Sequence, residues 1–278
     1  MNLLSKKDIK ELLEKNKIKL SKGLGQNFLI DEIILKKFIK TIDIQSNDTI
    51  LEVGSGIGTI TQELCKKAKQ VVAVEKDQKI SEILKDNLKD FKNLEIINND
   101  ILKLNLSSTK FQVQSSKIVG NLPFYITSPV IRNFLELQIP PKELIFIIQK
   151  EVAQRICAKP PKSNILAISI QFFSKPEIIS RIPSNSFYPR PKVESSIIKL
   201  TPIDNYKSLI EKKLFFKIIK AGFSQPRKQL INNLSKNLQI DKEKIEKILL
   251  KNNINPKQRA ETLTIEDWIG LSHSLETN

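Results

Sequence analysis

Between residues 28 and 202 short apolar runs alternate with longer amphipathic ones. "TILEVG" (49–54), "QVVAVE" (70–75), "LEIINND" (94–100), "SKIVGN" (116–121) and "ELIFIIQ" (143–149) have the length and β-branched content of buried strands. Between them "TITQELCKKA" (59–68), "QKISEILKDNLKD" (78–90), "TSPVIRNFLEL" (127–137) and "KEVAQRICA" (150–158) repeat their apolar residues at helical spacing. An earlier helix is expected after Asp31, its cap, with Ile34 and Phe38 on one face. In "TSPVIRNFLEL", Ser128 reads as the cap and Pro129 as a first-turn residue. The alternation predicts an α/β fold: a mostly parallel sheet covered on both faces. "EIISRIP" (177–183) and "SSIIKL" (195–200) lack an intervening helix and are expected to close one edge as a hairpin. After residue 205 the period changes. "EKKLFFKIIKAGF", "RKQLINNLSKNL" and "KEKIEKILLKNN" are all helical, so two domains are expected, 1–205 and an all-helical 206–278.

Composition narrows the function. The longest apolar stretches, such as "LIFII" at 144–148, fall far short of the roughly eighteen residues of a membrane span. Residues 1–20 carry no apolar signal core, and Asp8, Glu11 and Glu14 argue against an acid-poor transit peptide, so a cytoplasmic protein without a membrane partner is expected. Two cysteines, Cys65 and Cys157, and one histidine, His273, are too few for a zinc site or a histidine-activated nucleophile; both cysteines read as buried thiols. The net charge of +16 points to a polyanionic partner. Residues 142–192 hold nine Lys/Arg against three Asp/Glu, and residues 206–278 fourteen against eight.

Three of the eight glycines, Gly54, Gly56 and Gly58, crowd the turn between the first strand–helix pair. In an open α/β sheet ligands bind beyond the carboxyl ends of the strands, where missing side chains let them approach the backbone. The spacing G-S-G-I-G departs from the G-x-G-x-x-G of dinucleotide sites. Glu75 ends the next strand and suits ribose hydroxyls; Asp100 ends the one after and suits an adenine amine. A nucleoside without pyrophosphate suggests S-adenosyl-L-methionine. The fourth strand end is "NLPF", Asn121–Phe124. The exocyclic amine of adenine is a poor nucleophile because its lone pair is delocalised. The Asn121 side-chain oxygen and the Leu122 carbonyl could hold its two hydrogens and turn the lone pair toward a methyl donor. Pro123 stiffens the turn, and Phe124 offers a stacking face. No strong base is needed, since the proton leaves a cationic amine. Such a site needs an unpaired or flipped base. "SFYPRPKVESS" (186–196), with Phe187, Tyr188, Arg190 and Lys192, and "FSQPRKQL" (223–230), with Arg227 and Lys228, interleave aromatics and cations as single-stranded RNA contacts require.

These motifs, with "GQNFLID" (25–31) and "QKEVAQR" (149–155), run through most of the chain in an order that resembles the small-subunit ribosomal RNA adenine dimethyltransferases. The resemblance implies a Rossmann-like class I methyltransferase domain with a small helical RNA-binding domain. It implies that Asn27 and Leu29 join Gly54, Gly56, Glu75, Asp100 and Asn121 at S-adenosylmethionine. It implies dimethylation of two adjacent adenosines in a hairpin loop near the 3′ end of the RNA, on the immature small subunit, by a monomer. Ser55 stands where relatives usually carry proline, Phe124 where tyrosine is usual, and 160–169 lacks an expected Tyr-Gly pair. A large-subunit methyltransferase of the erythromycin-resistance type shares the chemistry, and an assembly factor with little turnover would share the RNA surface. "NLPF", "QKEVAQR" and "FSQPRKQL" favour the small-subunit enzyme.

Overall fold

The chain begins with α1 (Lys6–Lys15), a short strand β1 (Phe28–Leu29) and α2 (Glu32–Ile42). A βα alternation follows: β2 (Thr49–Val53), α3 (Thr59–Cys65), β3 (Gln70–Glu75), α4 (Gln78–Asn87), β4 (Leu94–Asn98), β5 (Ser116–Asn121), α5 (Phe124–Leu135), β6 (Glu143–Gln149), α6 (Lys150–Ile156) and α7 (Ile165–Gln171). Then come β7 (Ser174–Ile182), β8 (Phe187–Tyr188), β9 (Ser195–Pro202) and the helices α8 (Lys212–Gly222), α9 (Leu230–Leu238), α10 (Lys242–Lys251) and α11 (Ile265–Glu276). These assignments come from a computed structural model that describes residues 1–20, 25–104, 111, 113, 116–203 and 212–276. Among the described residues, no helix is long and apolar enough to cross a membrane.

Seven strands form one sheet in the order β4-β3-β2-β5-β6-β9-β7. The first five run parallel, and β9 joins β6 antiparallel, so the expected hairpin strands do lie side by side at one edge. The chain runs outward from β2 to β4 and then returns to place β5 on the other side of β2. This reversal opens a crevice beyond the ends of β2 and β5, where open α/β sheets bind ligands. Ile50, Leu51, Val71, Ile118, Val119, Ile145 and Ile147 are at most 0% exposed, as strands covered on both faces require. One face packs on α2 and α3 through Phe38, Ile42, Ile60 and Leu64; α4 covers Ala73 with Leu84 and Leu88.

Helix α5 starts earlier than the sequence predicts. Pro123 precedes its first residue with φ −57° and ψ 141°, and the Ile126 N–H and Thr127 hydroxyl both donate to the Pro123 carbonyl (3.2 and 3.1 Å). Pro129, expected in the first turn, lies inside the helix, and Ser128 is not its cap. An interior proline costs about 3 kcal/mol. Burial of Val130, Ile131, Phe134 and Leu135 on the same helix offsets it.

Cα packing separates two compact units, Met1–Ala153 with Glu177–Thr201, and Gln154–Pro176 with Pro202–Asn278. This division departs from the expected 1–205 in two places: the later boundary falls after Thr201, and segment 154–176 packs with the helical unit. The cause is aromatic: Phe172 stacks on Phe215 (4.2 Å between centroids) and Phe173 on Phe216 (5.9 Å). Within that unit Phe223 stacks on Trp268, and the buried Asn233 donates to the carbonyls of Gly222 (2.7 Å) and Gln225 (3.0 Å). These bonds hold the turn that exposes Arg227 and Lys228.

Candidate active site

The crevice at the β2/β5 reversal is built from backbone before side chains. Gly54, Gly56 and Gly58 all take left-handed conformations, with φ of +74°, +56° and +99°. Their reasons differ. A Cβ on Gly58 would lie 2.9 Å from Leu84 and Leu88 of α4, so this glycine serves helix packing. A Cβ on Gly54 would meet only the Asn121 carbonyl, at 3.6 Å, and otherwise occupy open space in the crevice. A fourth glycine, Gly120, brings β5 close to β2: a Cβ there would lie 2.2 Å from the Val53 carbonyl oxygen.

One cavity in this crevice is lined by Asn27, Leu29, Gly54, Gly56, Glu75, Asp100 and Asn121, the full set of expected cofactor-binding residues. Glu75, at the end of β3, is buried, and its two oxygens accept from Gly56 N–H and Asp77 N–H (2.9 Å each). It thus shapes the glycine turn while its remaining lone pairs border the cavity. Burial pushes its carboxyl above the ordinary range, against the pull of those backbone donors. Asp100 is paired with Lys76 (3.0 Å) and accepts from Leu102 N–H (3.0 Å). Burial raises its carboxyl, but Lys76 and Leu102 outweigh that and hold it below the usual value. Glu52, buried on β2 and missed by sequence reasoning, lines the same cavity. It accepts from the Thr61 hydroxyl (2.5 Å), and burial pushes it up to about 8. Gly25 and Lys76 were also missed. Gly25 could have been read from "GQNFLID": its φ is +62°, and a Cβ there would lie 3.0 Å from Pro123.

A second, smaller cavity is lined by Asn121, Leu122, Pro123 and Phe124, all four residues of "NLPF". It shares Gly25, Asn27, Asn121 and Pro123 with the first, so the two cavities meet at Asn121. The Asn121 Nδ2 donates to the Asn27 carbonyl (2.9 Å), which leaves Oδ1 as the acceptor. Leu122 N–H donates to Ile147 of β6 (2.9 Å), fixing the peptide ahead of the Leu122 carbonyl. Phe124 is 58% exposed at the rim. Tyr125 lines the first cavity, and its ring meets that of Phe124 edge to face (6.3 Å between centroids).

Asn27 is positioned by a partner far along the chain. β1 pairs with β8 (Phe28↔Tyr188, Leu29↔Phe187), and the Ser186 hydroxyl donates to Asp31 (2.8 Å). "GQNFLID" and "FYPRPKV" therefore form one piece of structure. This corrects the reading of Phe187 as an exposed stacking platform. It is 3% exposed, packs in the main core with Leu29 and Ile197, and walls the smaller cavity from inside. Arg190 and Lys192 are exposed as expected, as are Arg227 and Lys228 in the helical unit.

Comparison with known proteins agrees with this arrangement. The family described as "Ribosomal RNA adenine dimethylase" matches residues 17–271. A ribosomal RNA small subunit methyltransferase A of Alkaliphilus oremlandii is 42% identical, covering 98% of this chain and 97% of its own. The enzyme of that name from Clostridioides difficile is also 42% identical, covering 96% and 95%. Among solved structures, a dimethyladenosine transferase from Plasmodium falciparum superposes with a TM-score of 0.73 at 26% identity, over 87% of this chain and 95% of that one. The 23S rRNA methyltransferase ErmE, with a TM-score of 0.71 at 22% identity over 89% and 99%, shares the fold. The chain belongs to the ribosomal RNA adenine dimethylase family.

Proposed function

We propose that the protein dimethylates two adjacent adenosines in the 3′-terminal hairpin loop of small-subunit ribosomal RNA, on the immature subunit, as a cytoplasmic monomer. The observation that carries this reading is the Asn121 amide at the junction of two cavities, with its nitrogen tied to the Asn27 carbonyl and its oxygen left as an acceptor. The family membership and the small-subunit relatives support the substrate class.

The cofactor is S-adenosylmethionine, and the first cavity fits it. Glu75 offers buried carboxylate oxygens for ribose hydroxyls, and Asp100 an acceptor for the adenine amine. Gly54 leaves room against the backbone, and Asn27 and Leu29 close the side formed by β1. When bound, this group supplies an electrophilic methyl on a sulfonium. The remaining work falls to the second cavity. Asn121 Oδ1 and the Leu122 carbonyl accept the two N6 hydrogens of the target adenine. That grip rotates the amine lone pair out of conjugation and toward the shared wall. Phe124 stacks on the base from the rim, and Phe187 limits its depth. Arg190, Lys192, Arg227 and Lys228 bind backbone phosphates.

The test offers tritiated S-adenosylmethionine with immature small and large subunits separately and maps the labelled nucleotides. Label confined to two neighbouring adenosines of the small-subunit RNA is expected. Label on the large subunit, or on neither, overturns the reading.

A further inference from the structure

The geometry points to Gln149 as the residue that fixes the ring of the target adenine in its own plane, through a ring nitrogen beside the amine; this rests on the function proposed above. Two acceptors on N6 set that atom but leave the ring free to swing about it. N1 and N7, on either side of the amine-bearing carbon, are acceptors and need a donor. An acceptor left unpaired away from water is penalised.

The smaller cavity has few donors to give. Asn121 Nδ2 is committed to the Asn27 carbonyl (2.9 Å), Asn27 Nδ2 to the Gly25 carbonyl (3.0 Å), and Leu122 N–H to Ile147 (2.9 Å). Gln149, the last residue of β6, lines the same cavity. Among the described residues its carboxamide takes no hydrogen-bond partner. Its mount is rigid: Ile148 and Gln149 register with Ser196 and Ser195 of β9. Immediately after it, Lys150 N–H donates to the Glu194 carbonyl (3.0 Å), and the Lys150 ammonium pairs with the Glu194 carboxylate (2.5 Å). Such support is what a positioning group needs to act in one geometry. Gln149 also opens "QKEVAQR", a motif to which the cofactor cavity assigns no task. Ser195 lines the cavity too and is the competing donor.

The test uses small subunits reconstituted with RNA whose target adenosine is replaced by 1-deazaadenosine or 7-deazaadenosine. With wild-type protein, one of the two analogues is expected to lower kcat/KM on the order of tenfold, the size of one neutral hydrogen bond. Gln149→Met keeps the side-chain length without the donor, and Gln149→Glu replaces the donor with an acceptor. Both should slow transfer to unmodified RNA by a similar factor and show no further loss with that analogue. Ser195→Ala should keep the wild-type penalty. S-adenosylmethionine affinity by calorimetry and the thermal melt of each variant should stay near wild type, which separates this role from folding or cofactor binding. A penalty that persists in Gln149→Met, or that vanishes only in Ser195→Ala, overturns the assignment. Absence of transfer by the wild type to unmodified RNA would instead defeat the functional reading itself.

Discussion

At Asn121 the two ends of one amide have different duties. Nδ2 anchors on the Asn27 carbonyl, which belongs to the wall of both cavities, and Oδ1 remains for the substrate. Removing the amide takes away an orienting contact while the strand beneath keeps its register. Asn121→Ala should therefore fold, bind S-adenosylmethionine with a modest loss by calorimetry, and lose about 100-fold or more in methyl transfer. Transfer at the wild-type rate would show that N6 is held elsewhere. Glu52 makes a different demand. Burial raises its carboxyl to about 8 from an ordinary value near 4.5. Below the lower value both folded and unfolded chains hold the proton. Between the two values only the folded chain does, so stability falls as pH rises through that window, with a slope of up to about 1.4 kcal/mol per pH unit. The raised Glu75 adds in the same direction. Glu52→Gln keeps an acceptor for Thr61 and should flatten the fall in melting temperature between pH 5 and 8. An unchanged profile would place the titration at another group.

At the scale of elements, the strands were legible almost residue by residue, because a strand buried on both faces must be continuously apolar. "QVVAVE", "SKIVGN" and "ELIFIIQ" coincide with β3, β5 and β6. The site was legible for the same reason: a parallel sheet places its strand ends in a row, so Gly54, Glu75, Asp100 and Asn121 could be aligned from sequence alone. What failed was long range or context dependent. Pro129 looks like a helix start because isolated helices reject interior proline, yet tertiary burial of α5 overrides that local preference. The membership of 154–176 depends on Phe172 meeting Phe215, a contact with no local signature. The pairing that buries Phe187 joins segments about 160 residues apart, so its aromatic-basic surroundings read as surface. Gly120 shows how tightly β5 is set. An added methyl would lie 2.2 Å from the Val53 carbonyl and push apart the two strands that carry Gly54 and Asn121. Gly120→Ala should cost about 1–3 kcal/mol in chemical denaturation and also weaken cofactor binding. Loss of stability with full cofactor affinity would mean that the crevice tolerates separation of β2 from β5.

For the whole molecule, the question is how much of the +16 charge acts on RNA. Many lysines have nearby carboxylates: Lys7 and Lys10 approach Glu11 and Glu14, Lys36 pairs with Glu32, and Lys199 with Glu143. The exposed pairs among these, on Lys7, Lys10 and Lys36, add little to stability, and all of them reduce the charge offered to a phosphate. Arg227 and Lys228 differ in kind. They project from a turn whose carbonyls are held by the buried Asn233, so their cations are presented on a fixed backbone at low ordering cost. Arg190 and Lys192 are likewise exposed on the segment that follows β8. Each phosphate neutralised on a single strand contributes about 0.7 to the slope of log affinity against log salt. Arg227→Ala with Lys228→Ala should thus weaken RNA binding and lower that slope by about 1.4, leaving S-adenosylmethionine affinity untouched. Arg190→Ala with Lys192→Ala should do the same, and the four changes together should lower the slope by the sum, since the two pairs lie in different compact units. A quadruple variant whose slope equals that of either pair alone would mean that only one of these segments meets phosphate.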